Sequence, residues 1–122
     1  QAASMDYAPT FFGCDGLDGI LAVEGFDTSL AEGVMLLTPF AADAEDEQTQ
    51  AFVSSYKEKF GDTPIQFAAD AYDGMYIIKT AAEKAGLTPD MDASAICDAM
   101  KTAMTEITYD GLTGSGMTRQ ST

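Results

Sequence analysis

The stretch from Ile65 to Ala85 limits most strongly what this chain can fold into. Its apolar residues recur at Ala68, Ala71 and Tyr72, Met75, Ile78, Ala82 and Ala85, the spacing of one face of an α-helix. Asp62-Thr63-Pro64 leads into it, Pro64 suiting a first helical turn, and Gly86 follows as a stop signal. A glycine inside a helix costs roughly 1 kcal/mol relative to Ala. Gly74 in mid-stripe therefore predicts close packing against a neighbour at that point.

Two further helices are legible. Phe52, Tyr56 and Phe60 stand at i, i+4 and i+8 with Val53 beside them, Lys57 and Lys59 fall in the last turns, and Gly61 ends the run. The acidic cluster Asp43, Glu45, Asp46 and Glu47 precedes this helix and favours its positive end. Its spacing fits no calcium loop and lacks the turn glycine. Asp90-Met91-Asp92-Ala93-Ser94 also looks superficially like a calcium loop, but Ala95 and Lys101 stand where Gly and Glu are required. It reads instead as the start of a helix over Ala93–Met104, apolar at Ile96, Ala99, Met100 and Ala103.

Strands are predicted at Tyr7–Gly13, at Val34-Met35-Leu36-Leu37-Thr38 and at Ile107-Thr108-Tyr109. The second, an unbroken apolar run between Gly33 and Pro39, has the pattern of a strand buried on both faces, as in a parallel sheet. Gly16–Phe26 is weakly helical and broken by Gly19 and Gly25, and Asp27–Glu32 is a short turn or helix. Gln1–Asp6 holds no complete element and fits the tail of a preceding helix. Gly111–Gly116 is a loop, and Gln120-Ser121-Thr122 ends without a closing element. The order is strand, helix, strand, three helices, strand. That is α/β, with too few strands for a closed doubly wound domain.

At 122 residues, 46% hydrophobic and rich in Phe and Tyr, the chain can support a core and is not expected to be disordered. Its net charge of −14 repels phosphate backbones and anionic headgroups, which disfavours nucleic-acid and membrane-surface roles. No apolar run approaches the roughly 20 residues of a membrane helix. The opening Gln1-Ala2-Ala3-Ser4-Met5 has neither an initiating Met nor a leader, so an excerpt of something longer is expected. Without histidine there is no Ser-His or Cys-His pair and no imidazole metal site in this chain. Cys14 and Cys97 form no Cys-x-x-Cys unit, so neither a redox motif nor a zinc site is supported. Two small buried apolar thiols are the expectation, with a disulfide as the alternative.

One loop carries most of the chemical interest. Pro9-Thr10-Phe11-Phe12 runs into Gly13-Cys14-Asp15-Gly16-Leu17-Asp18-Gly19, which puts Asp15 just past a strand's carboxyl end on a Gly-flanked loop. Ligands dock in that crevice in open α/β sheets. Asp15 either caps the next helix or turn, or receives an ammonium group.

Several segments, in order, resemble one family. They are Tyr7–Gly16, Glu32-Gly33-Val34-Met35-Leu36-Leu37-Thr38-Pro39, Phe52-Val53-Ser54-Ser55-Tyr56-Lys57-Glu58-Lys59-Phe60-Gly61, and Ala69-Asp70-Ala71-Tyr72-Asp73-Gly74 heading a long Ala-rich helix. The chain is similar over nearly its whole length to the branched-chain amino-acid-binding (Leu/Ile/Val-type) substrate-binding proteins of ABC importers, with the type I periplasmic-binding fold. Members are considerably longer, with two Rossmann-like α/β lobes joined by crossing strands and a ligand trapped between them.

The resemblance implies a carboxy-terminal fragment. Residues 1–39 would be the end of the second lobe, Pro39-Phe40 a hinge crossing, and 40–122 the helices of the first lobe with a strand approaching the last crossing. It also implies site residues. Gly13-Cys14-Asp15-Gly16 matches the family's Gly-x-acid-Gly turn, whose acidic residue binds the ligand's α-ammonium, with Asp15 one methylene shorter than the commoner Glu. A buried ammonium needs such an opposite charge. Gly16 would let backbone approach the ligand closely. Phe67 stands where the family places an aromatic against the ligand's side chain, with ordinary core packing as its alternative. Residues for the ligand carboxylate would lie upstream.

The function implied is an extracytoplasmic solute-binding component, periplasmic or lipoprotein-anchored, that closes on an amino acid and hands it to an ABC permease. It needs no cofactor, and no metal site is expected. Closure by hinge motion would use Pro39-Phe40 and Gly111–Gly116. A ligand-sensing regulatory domain of the same fold is the alternative, separated by what flanks the chain in the complete gene product. An α/β enzyme working through Asp15, Asp18 or Asp70 needs a carboxylate pair with separated pKa values, and the spacing shows none. In isolation such a fragment would expose apolar surface and is expected to self-associate.

Overall fold

A computed structural model describes residues 2–120; Gln1 and the end at Ser121-Thr122 lie outside the described residues. Three α-helices carry the fold: α1 (Glu47–Phe60), α2 (Gln66–Ala85) and α3 (Ala93–Glu106). Each boundary has a local cause. Asp46 caps α1 by accepting from Thr49 N–H at 2.9 Å, and Asp92 caps α3 by accepting from Ser94 and Ala95 N–H. Thr49's backbone N–H, and then its side chain, hold the exposed Asp46 carboxyl below the usual range. Gly61 and Gly86 end α1 and α2 in the left-handed region, at φ 75° and 62°. Asp92 thus opens a helix, as its spacing predicts.

The strands are much shorter than expected. Phe12–Gly13 (β1) pairs in parallel with Met35–Leu36 (β2), in the register Phe12 to Met35 and Gly13 to Leu36. The run Val34–Thr38 is not buried on both faces: Met35 is 51% and Leu37 65% exposed. A two-stranded ribbon without a layer on each face cannot bury both sides of a strand. The strand predicted at Ile107–Tyr109 reduces to one antiparallel bridge, Tyr109 to Met117, closing the Gly111–Gly116 loop, while Ile107 caps the end of α3. Between the strands the weak helices prove to be 3₁₀ turns, Asp15–Leu17, Ile20–Ala22 and Thr28–Ala31; a further such turn spans Ala3–Met5.

Two buried clusters form the core. Phe40, Val53, Ala69 and Leu112 make one, with Ala42 and Phe52 against it. Ala81, Ala103 and Ile107 make the other, where α2 meets α3. Among the described residues, the buried hydrophobic ones all lie at or beyond Phe40.

The face that α2 buries differs from the one its periodicity indicates. Gln66, Ala69, Asp73 and Ala81 are buried, whereas Tyr72, Met75 and Ile78 of the predicted stripe are exposed. Gly74 has no neighbour within contact distance of the position a Cβ would take, so close packing does not explain it. Pro64 is buried but precedes the helix, whose cap position is Ile65. Phe60, the last of the α1 aromatics, is 61% exposed. Cys14 and Cys97 are both free and exposed, which overturns the buried-thiol reading and leaves no disulfide between them.

Candidate functional site

The site is built from the loop that follows β1. Gly13 ends the strand; Cys14 takes the cap position of the next turn without a side-chain bond, and Asp15 is that turn's first residue. Asp15 is exposed; its Oδ1 accepts from Gly16 N–H at 3.1 Å and its carbonyl from Asp18 N–H at 2.9 Å. Asp15 therefore does not cap the turn. Gly16 is exposed and would meet nothing within 4 Å if it bore a Cβ.

Asp18, not Asp15, reaches across the chain. Its Oδ1 accepts from Gly19 N–H at 3.0 Å, and its Oδ2 from Gln66 N–H at 2.5 Å. The first N–H groups of a helix have no partner within it, and Ile65 at the α2 cap position offers no side-chain acceptor. Asp18 supplies one from 48 residues away. Gln66 is itself buried at 4% exposure. Its Oε1 lies 2.6 Å from the Thr38 hydroxyl and its Nε2 donates to Asp70 Oδ2 at 3.3 Å. Thr38 also holds Phe40, its hydroxyl lying 3.0 Å from the Phe40 carbonyl and accepting from Phe40 N–H at 3.3 Å.

A groove of about 650 Å³ opens beside this network. Leu17 to Ala22 form one side; Thr38, Phe40, Tyr56 and the segment Asp62 to Ile65 form much of the rest. Asp18, Asp43 and Asp62 lie in its lining, and neither Lys nor Arg does. A cationic group is thereby favoured over an anion. Asp15, Gly16 and Phe67 are not in the lining. They stand next to it in the chain, the first two on the loop before Leu17 and Phe67 in the first turn of α2 beyond Gln66. The structure thus carries the three predicted residues on two segments that Asp18 ties together. Phe67 is 49% exposed, so the described residues do not bury it as core. It also stays out of the ring series Phe40–Phe52–Tyr56–Phe60 and Phe52–Tyr72–Tyr76.

A second carboxylate was hidden from sequence reasoning. Asp73, 2% exposed, accepts from Leu112 N–H at 3.0 Å, Thr113 N–H at 2.8 Å and the Thr113 hydroxyl at 2.7 Å. Among the described residues the ion pairs are Lys79–Glu83 and Lys84–Glu106, both on exposed side chains, so hydrogen bonds rather than a cation hold Asp73. Gly111 is required beside it: a Cβ there would stand 2.5 Å from either carboxylate oxygen. The signal available in the sequence was the missing cap at Ile65 for Asp18; for Asp73 there was none beyond an acidic residue inside an apolar helix.

Tyr72 and Tyr109 lie in the field of Asp73. The Tyr72 phenol is pushed up to about 12, first by its hydrogen bond with Tyr76, then by burial and by Tyr76, Tyr109 and Asp73. Burial, then Asp73 and Tyr76, raise Tyr109 as well. The folded state favours the neutral phenols, so this contribution is intact below the ordinary value of 10 and is lost as pH climbs from there toward about 12. A titration following phenolate absorbance is expected to show a component near pH 12 that joins the others on unfolding.

Among the described residues no group of three or more His, Cys, Asp or Glu is arranged to hold a metal ion, and no helix is long and apolar enough to cross a membrane.

Comparison with known proteins places this chain in a family. The family model for periplasmic binding proteins matches residues 1–122. Among solved structures, the chain is similar to the branched-chain amino acid transporter substrate binding protein LivJ from Streptococcus pneumoniae, solved with isoleucine. The TM-score is 0.71 and the identity 25%, over 94% of this chain and 31% of that one. An ABC transporter substrate-binding protein from Desulfitobacterium hafniense matches in fold, with TM-score 0.67 and 21% identity over 93% of this chain and 30% of its own. A Rhodospirillum rubrum protein assigned to branched-chain amino acid ABC transport matches at TM-score 0.57 and 27% identity, over 93% and 31% respectively. No curated protein sequence matches significantly. The chain spans about a third of the length of these structures. With the family's pattern running its entire length and the fold shared with substrate-binding proteins of ABC transporters, this chain belongs to the periplasmic binding protein family.

Proposed function

We propose that this chain is part of the extracytoplasmic solute-binding component of an ABC importer, which traps an amino acid, branched-chain or similar, between two lobes and delivers it to the membrane permease. The likeness to the isoleucine-bound S. pneumoniae protein over 94% of the chain carries this reading. Residues 1–39 belong to one lobe and 40–122 to the other; the confinement of the buried hydrophobic core to Phe40 and beyond, among the described residues, supports that division. Phe40 is anchored in the core, so bending at the crossing falls on the chain ahead of it. No bond of the ligand is made or broken.

Asp15 receives the ligand's ammonium, Gly16 admits close backbone approach, and Phe67 lies against the ligand's side chain. The exposure of all three supports these roles, since a ligand group needs open surface to meet. The acidic groove supports an ammonium in preference to an anionic group.

Calorimetric titration of the full-length protein with a panel of amino acids tests the proposal, with Asp15→Asn run beside wild type. An aliphatic amino acid is expected to bind, and the variant to bind it at least about 30-fold more weakly, because one member of a charge pair is neutralised. Undiminished binding in the variant removes Asp15 from the site. Failure of every amino acid to bind removes the receptor reading.

A further inference from the structure

We infer that Asp18 is a positioning residue: its carboxylate latches the loop that carries Asp15 to the helix turn that carries Phe67, and so sets the width of the cleft between them. The inference rests on the receptor reading and specifies how its closed state is held.

Three contacts converge on Ile65 and Gln66. Asp18 Oδ2 accepts from Gln66 N–H at 2.5 Å, replacing the local cap that Ile65 cannot provide. The Thr38 hydroxyl meets Gln66 Oε1 at 2.6 Å. Gly19, at φ +81°, lies under Ile65, whose Cγ2 would be only 3.3 Å from a Cβ at that position. All three partners, Asp18, Gly19 and Thr38, come from residues 1–39, and the two receivers are the cap position and first residue of α2. A carboxylate at a helix N-terminus is favoured by the hydrogen bond and by the helix dipole together. No Lys or Arg lies in the groove lining to compete for Asp18.

The geometry makes the latch conditional. Gln66 N–H has no helical partner, so when the two segments separate it loses its acceptor and Asp18 turns to water. Separation is the opening motion of a two-lobed receptor. Asp18 therefore adds to ligand affinity without touching the ligand, by slowing reopening. Its neighbour Asp15, three residues earlier on the same loop, is exposed and has no bond to α2 among the described residues.

The test uses the full-length protein, with Asp18→Ala, Asp18→Asn and Thr38→Val, and isoleucine as the probe. Amide exchange of Gln66 is read without and with the probe, alongside binding kinetics. In Asp18→Ala the Gln66 amide of the closed protein is expected to exchange about 5- to 30-fold faster, and isoleucine to leave faster by a similar factor with an unchanged association rate. Asp18→Asn keeps an acceptor and should restore most of both. Thr38→Val, which leaves Asp18 intact, should show a smaller change in the same direction.

An unchanged Gln66 exchange in Asp18→Ala overturns the latch whether or not any ligand binds. Equal loss of thermal stability in free and isoleucine-bound Asp18→Ala, with unchanged affinity, makes Asp18 a plain structural cap and also overturns it. Wild type that binds no amino acid defeats the receptor reading and the positioning role with it, while Gln66 exchange still reports separately on the contact.

Discussion

Phe40→Ala is expected to lower the unfolding free energy by about 3–5 kcal/mol, the range for deleting a buried Phe side chain. Phe40 is 5% exposed and sits where α1, α2 and the loop after α3 meet, against Val53, Ala69 and Leu112. Its ring meets Phe52 edge-on, with centroids 5.9 Å apart and planes at 82°, a geometry that adds about 0.5–1.5 kcal/mol beyond area burial. Two of its neighbours, Ala42 and Ala69, are too small to fill the space left behind. The cavity would persist, which points to the upper half of that range. Denaturant unfolding checks this: the midpoint should fall while the slope stays constant. Phe40→Leu, which keeps most of the volume, should lose clearly less. Equal losses for the two variants would mean that the pocket tolerates collapse, contrary to the packing described.

Asp73→Ala is expected to cost about 2–4 kcal/mol. The side chain accepts three hydrogen bonds in a nearly dry setting, and its removal leaves the buried Leu112 N–H without a partner. One buried, unsatisfied donor costs about 1–3 kcal/mol, and bonds to a charged acceptor are stronger than neutral ones. Asp73→Asn should fall between wild type and Ala, because an amide oxygen can serve one N–H while its NH₂ faces the other donor. Gly111→Ala damages the same arrangement from the other side, since its Cβ would occupy the space of the carboxylate. Truncating Asp73 frees that space, so the double variant should be less destabilised than the sum of the singles. Strict additivity, measured by the same unfolding curves, would separate the two positions and sink this account.

The three helices were legible because their signals are local. Asp46, the Phe52–Tyr56–Phe60 spacing and Gly61 lie within α1 or touch it, and the helix spans what they indicate. The face that α2 buries was not legible. Its periodicity selects Tyr72, Met75 and Ile78, yet the buried side runs through Gln66, Asp73 and Ala81, two of them polar. Those polar residues are buried because their hydrogen bonds are met by Asp18, Thr38, Leu112 and Thr113, far away in sequence. Hydropathy cannot anticipate a distant acceptor.

The strand at Val34–Thr38 failed for the opposite reason. Its apolar run was read as doubly covered, and nothing in the described residues covers both sides. At the candidate site, sequence reasoning pointed to the loop after β1. It weighed Asp15 for the role of helix or turn cap, whereas the carboxylate that caps α2 is Asp18, because only the folded chain brings Gln66 N–H to it.

The two long-range carboxylates also set an order of assembly. Each helix can begin from caps and stops within its own few residues, and such segments form in well under a millisecond. The Asp73–Leu112 and Asp18–Gln66 contacts instead span 39 and 48 residues. Their chain-closure entropy must be met before either bond returns anything. Helices are therefore expected to form first and the Asp73 and Asp18 contacts to close afterwards, an order that φ-values near zero for Asp73 and Asp18 variants would bear out. On that order the groove is a late product of folding, made when its two walls are joined.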